Sequence, residues 1–147
     1  MAERKYDLEE RLLEYAAVIV RLGETLPSTR AGNHIAGQLL RSGTSPLPNH
    51  GEAEGAESRN DFIHKLGICH KELRESRRWL RLIQRVPLLP TPGALEDAIR
   101  ETDELVRIFA ASIRTARMNG KDDNYCREAT AGYGSDCFAE KSPALER

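Results

Sequence analysis

The chain has 147 residues, 39% hydrophobic and 31% charged, with only 5% aromatic. That length suits one domain, and the weight of Leu, Ala, Arg and Glu favours helices over a β-sandwich. A formal net charge of −1 excludes a strong overall pull towards nucleic acid or an anionic membrane.

The average hides a local difference. Residues 119–147 hold four Lys/Arg and six Asp/Glu, a balance of −2, leaving +1 for residues 1–118. Three cysteines make no disulfide framework, and Cys126 and Cys137 are too far apart for a zinc site. The opening MAERKYDLEERL is charged where a signal peptide would be apolar, and no run approaches a membrane span. A reducing cytoplasm is the expected location, with no membrane partner.

Asp7-Leu8-Glu9-Glu10 reads as a capping box. Leu8, Leu12, Tyr15, Ile19, Leu22 and Leu26 then recur at steps of four and three, with Leu13, Ala16 and Val20 widening the stripe. The spacing predicts a first helix from Leu8 to Glu24 or Thr25, stopping before Pro27. Ser28 or Thr29 can cap a second helix carrying Ile35, Ala36, Leu39 and Leu40.

Ser42 to Asn49 gives two answers. Pro46 and Pro48 remove backbone donors, which favours a loop. Yet Ser42, Thr44 and Ser45 can serve the carbonyls so freed, and helix can resume from Asn49 to Glu54.

Ser58 can cap a third helix running to Arg85 or Val86. Phe62, Leu66, Cys69, Leu73, Ser76, Leu80 and Ile83 line one side of it. Thr91-Pro92 starts a fourth helix, whose seam is Leu95, Ile99, Thr102, Val106, Phe109, Ile113 and Ala116. Asn119-Gly120 is the expected end, with a mostly disordered tail beyond; Tyr125, Tyr133 and Phe138 are weak docking candidates there. Four such segments with short links predict an all-α, antiparallel up-down-up-down four-helix bundle over residues 1–118, with residues 119–147 as tail.

The run LRSGTSPLPNHGEAEGAESRNDFIHKLGICHKELRESRRWLRLI, Leu40 to Ile83, resembles the signature of the bacterial four-helix-bundle proteins first known from intervening sequences in 23S ribosomal RNA genes. YDLEERLLEYAAVIVRL and TRAGNHIAGQLLRS fit the same family, so the resemblance spans about Tyr6 to Ala116. It implies ring-shaped homopentamers and a second helix that continues, bent at Pro46/Pro48. The family motif falls on Ser45, Pro46, Asn49 and Glu52. The family is also similar to the accessory variability proteins of diversity-generating retroelements, which implies a reverse transcriptase and RNA or DNA as partners.

Four kinds of site are candidates. Lys71, Arg74, Arg78, Arg81 and Arg85 form a cationic row on the third helix; with Arg77, and against Glu72 and Glu75, residues 71–85 carry +4. Guanidinium forks in such a row can hold phosphates, and the bland alternative is a solvated face paired with acids such as Glu101 or Glu104. Ile68, Trp79, Leu82 and Val86 widen the apolar arc and form a candidate subunit interface. His50 and Glu54 could share an ion, but no repeated ligand pattern supports a metal. Cys69 and His70 are sequence neighbours pointing about 100° apart, so they make no dyad. Gly51, Gly55 and Gly67 suggest close helix approach. The expected function is a non-enzymatic, cofactor-free scaffold with no small-molecule substrate, or alternatively a protein–protein interaction module without a nucleic-acid role.

Overall fold

The computed structural model describes residues 7–131 apart from Thr91, with side chains as far as Lys121. Every regular element among these residues is helical: α1 (Leu8–Thr25), α2 (Arg30–Thr44), α3 (Pro46–Glu54), α4 (Arg59–Arg85) and α5 (Pro92–Ala131). The caps are those the sequence offers. Asp7 accepts from the Glu10 amide at 3.2 Å, Thr29 from Gly32 at 3.0 Å and Ser58 from Asp61 at 3.1 Å. The expected cap at Thr91 lies outside the described residues.

α2 and α3 form one rod interrupted at a single residue. Ser45 keeps right-handed helical angles, φ −59° and ψ −36°. Its amide donates to Arg41 O at 3.2 Å, and the Asn49 amide donates to Ser45 O at 3.3 Å. Helix therefore wins over loop across the two prolines. The hydroxyls do not take the expected role, however. Ser42 donates to Leu39 O at 3.4 Å and Thr44 to Leu40 O at 2.6 Å, each about one turn back, where a helical hydroxyl naturally reaches. The Asn49 side chain adds a bond to Ser45 O at 2.9 Å.

α5 also departs from expectation. It runs through Asn119-Gly120 to Ala131, because one interior glycine costs only about 1 kcal/mol and no proline interrupts that stretch. Residues 132–147, with Tyr133, Cys137 and Phe138, lie outside the described residues, as do the side chains of Tyr125 and Cys126.

The rods pack as a four-helix bundle. α1 packs on α2, α3 and α5, while α4 packs on α5, α3 and α2. The backbones of α1 and α4 do not approach closely among the described residues, so these two rods occupy a diagonal and meet only through core side chains such as Tyr15 and Ser76. The core takes Leu12, Tyr15 and Ile19 from α1, Leu39 from α2, Leu73, Leu80 and Ile83 from α4, and Leu105 and Phe109 from α5. Two predicted stripes are corrected by this geometry. Leu13 and Val20 do not join the core but stay exposed on the flank of α1, where Leu13 lines a groove with Leu47, Pro48 and Gly51 of α3. On α5, Ala98 and Leu105 are buried, whereas Ile99 and Val106 sit half-buried at the edge of the seam.

A hydroxyl-bearing layer crosses the middle of the core. Thr102 donates to Ala98 O at 2.6 Å, which leaves Tyr15 to donate to Thr102 at 2.8 Å. Ser42 and Ser76 are hydrogen-bonded through oxygens 2.9 Å apart. All four side chains are buried, and each comes from a different rod.

The close approaches lie at glycines other than those expected. A Cβ on Gly51 or Gly67 would meet nothing within 4 Å, and one on Gly55 would meet only its own helix at 3.8 Å. At Gly43 it would stand 2.6 Å from Ile19 Cγ2, and at Gly32 1.9 Å from the Pro27 carbonyl oxygen. Gly43 thus sets the α1–α2 approach, and Gly32 lets the α1–α2 turn fold back on the start of α2.

Candidate nucleic-acid and assembly surfaces

α4 presents three different faces around its circumference. Its seam residues Leu66, Cys69, Leu73, Ser76, Leu80 and Ile83 are buried. The opposite side carries Lys71, Arg74, Arg78, Arg81 and Arg85, all exposed. None of these five makes a salt bridge among the described residues; Arg78 instead donates to the Arg74 carbonyl at 3.3 Å. The acids nominated to neutralise them are engaged elsewhere. Glu101 and Glu104 both bind Arg11 of α1, the Glu101 contact being a two-point fork at 2.6 and 2.9 Å. Arg77, the remaining member of the +4 segment, pairs with Asp103 at 2.6 Å.

Glu72 and Glu75 are also spoken for. Arg41 of α2 reaches Glu72 at 3.1 Å and contacts Glu75 as well. This cross-rod clamp was invisible in the sequence, because Arg41 lies 31 residues from Glu72 and no local spacing links them. It leaves the cations of the α4 outer face in excess.

The four interface candidates divide. Ile68 and Trp79 are half-buried within the protomer. Trp79 donates to Glu75 at 3.3 Å and meets His34 edge-to-face, with centroids 6.1 Å apart. Leu82 and Val86, by contrast, are 39% and 50% exposed. Only these last two are open to a partner.

The motif residues hold the α2–α3 junction and its packing. Pro46 is buried, and its carbonyl accepts from the Cys69 thiol at 3.5 Å. Asn49 also binds Ser45 Oγ at 3.0 Å, and Glu52 pairs with Lys65 at 2.5 Å, which raises the lysine pKa. Their observed contacts are structural.

The chemistry of the remaining candidates is muted. Burial pushes the Cys69 thiol up to about 12, which keeps it protonated and a poor nucleophile near neutral pH. Burial, and secondarily the neighbouring Arg74, lowers the His70 pKa. His50 packs edge-to-face on Phe109 at 6.2 Å, and its Nε2 stands 3.9 Å from Glu54. No group of three potential ligands gathers to hold a metal among the described residues. No helix of the described residues is long and apolar enough to cross a membrane.

The sequence matches the model of the family described as 23S rRNA-intervening sequence protein over residues 4–111. The chain belongs to that family. A crystal structure of a protein with unknown function, from the S23 ribosomal protein family of Bacteroides thetaiotaomicron, is similar to it at 36% identity and a TM-score of 0.67. That match covers 73% of this chain and 98% of the other. No curated protein matches. The matched residues include α1 to α4 and most of the buried seam of α5, so family membership and the bundle rest on the same stretch.

Proposed function

We propose that this family member is a non-enzymatic, homo-oligomeric scaffold that holds the phosphate backbone of RNA or DNA on the outer face of α4. The reading includes a homopentameric ring, a bend of the α2–α3 rod at Pro46/Pro48, and a cytoplasmic nucleoprotein partner such as a reverse transcriptase. One observation carries it: Lys71, Arg74, Arg78, Arg81 and Arg85 are exposed in a row without a salt bridge among the described residues. A ring would repeat that field around its axis, offsetting the near-neutral charge of the single chain. No aromatic side chain interleaves with the row, so backbone contact rather than base stacking is expected.

The test is titration of fluorescent structured RNA and duplex DNA at two salt concentrations. Binding should weaken steeply with salt, and Arg74→Glu with Arg81→Glu should reduce it by about tenfold or more. Absence of binding at low salt, or binding indifferent to those reversals, rejects the reading. A second reading, a protein–protein interaction module, is favoured by the exposed Leu82 and Val86 at the end of the same helix.

A further inference from the structure

α1 carries two apolar stripes. Leu12, Tyr15, Ile19 and Leu22 fill the core. Leu13, Ala17 and Val20 step four and three along the outward side, with Glu10 and Glu24 continuing the same line at either end. Leu13 is 49% exposed and Val20 41%. Leu13 borders a groove with Leu47, Pro48 and Gly51 of α3, and neither it nor Val20 fills the core. Glu10, Glu14 and Glu24 around the stripe are all exposed, and only Glu14 makes a salt bridge among the described residues, with Arg21 at 3.5 Å.

The C-terminal end of α4 repeats the arrangement with the opposite charge. Leu82 and Val86 are exposed, and Arg78 and Arg85 stand about 40° and 60° from Leu82 around the helix at 100° per residue. Neither arginine makes a salt bridge among the described residues. α1 and α4 occupy a diagonal, and the two patches lie on different flanks of the molecule, the α1 stripe beside α3.

We infer that the outer face of α1 in one protomer docks on the outer C-terminal end of α4 in a second copy of this chain. The inference rests on the homo-oligomer reading and names its contact. Two unlike, complementary faces on different flanks of one molecule make a head-to-tail interface, the kind that closes into a ring when its rotation permits. α1 and α4 run in the same direction, since one antiparallel rod separates them. Between similarly oriented copies they therefore meet as a parallel pair. Leu13, Ala17 and Val20 have the four-and-three spacing of a coiled-coil seam, and Leu82 and Val86 supply the facing knobs. Glu10, about 60° from Leu13, then faces Arg78 and Arg85 across the seam and fixes the choice of partner face. Arg74 and Arg81 lie about 80° and 100° from Leu82, away from the contact, and stay available to phosphate.

Sedimentation velocity of the full chain at micromolar concentration tests this. Leu13→Asp with Val20→Asp should give a monomer whose helical circular dichroism is unchanged, because both side chains are already exposed in the protomer. Leu82→Asp with Val86→Asp should do the same. Mixed in equal amounts, the two double variants should form a dimer and nothing larger, since each retains the face the other has lost. If the unaltered chain assembles and either double variant still assembles, this contact is wrong and the oligomer reading stands. A mixture that remains monomeric also overturns the contact. If the unaltered chain is itself monomeric, both readings fall.

Discussion

Tyr15 and Cys69 show how burial in this core becomes a pH dependence. Burial pushes the Tyr15 hydroxyl from its ordinary 10.0 up to about 12, against the opposing effect of its hydrogen bond to Thr102. The Cys69 thiol moves from 9.0 to about 12 for the same first reason. Well below pH 9 both groups are protonated in folded and unfolded chain alike, and the stabilisation is fully present. As pH rises towards 12 the unfolded chain gives up protons that the folded chain keeps, so stability is lost. Thermal melts from neutral pH upward should show the midpoint falling from about pH 8, where the unfolded thiol begins to ionise. Tyr15→Phe should flatten that fall while costing about 1 kcal/mol at neutral pH, because Thr102 loses a partner. Identical alkaline slopes for the two proteins would count against Tyr15 as a source. The polar pairs themselves were only half legible. Ser76 and Thr102 sit on readable apolar seams, but their partners Tyr15 and Ser42 lie 87 and 34 residues away, beyond any local pattern.

At the scale of elements, periodicity and capping located α1, α2 and α4 well, because each begins at a side-chain cap and ends near a proline or a loop. The failures came where a local rule competes with packing. Glycine is one case. The sequence marks Gly51, Gly55 and Gly67 as readily as Gly43, but only the assembled bundle reveals which glycine faces another helix. The consequence is a pair of opposite effects. Gly67→Ala, in open space mid-helix, should stabilise by about 1 kcal/mol. Gly43→Ala should destabilise by about 1–3 kcal/mol, because the new methyl overlaps Ile19. Urea denaturation of the two variants checks both signs, and a stabilising Gly43→Ala would contradict the close α1–α2 approach. The outward stripe on α1 is a second case. Leu13 and Val20 lie beside the buried row in sequence, and hydrophobicity alone cannot say which side of a helix finds a neighbour.

For the whole molecule, the all-helical bundle was readable, since four amphipathic stripes with short links leave few alternatives. The candidate site was less so. The basic row could be seen, but whether it was neutralised depended on long-range pairing. Arg11 takes Glu101 and Glu104, and Arg41 takes Glu72 and Glu75, leaving Lys71, Arg74, Arg78, Arg81 and Arg85 without a salt bridge among the described residues. The resulting diagonal segregation, glutamates outside α1 and arginines outside α4, has a practical consequence. Although its sequence isoelectric point is near 6.4, the chain presents exposed Glu9, Glu10, Glu14 and Glu24 on α1 and an exposed basic row on α4. It should be retained at low salt on both cation and anion exchangers at neutral pH, each resin gripping a different flank. Arg74→Glu with Arg81→Glu should abolish retention on the cation exchanger while sparing the anion exchanger. Isoelectric point, so often used to dismiss an affinity for polyanions, is blind to this molecule because it sums over two sides that never meet the same surface at once.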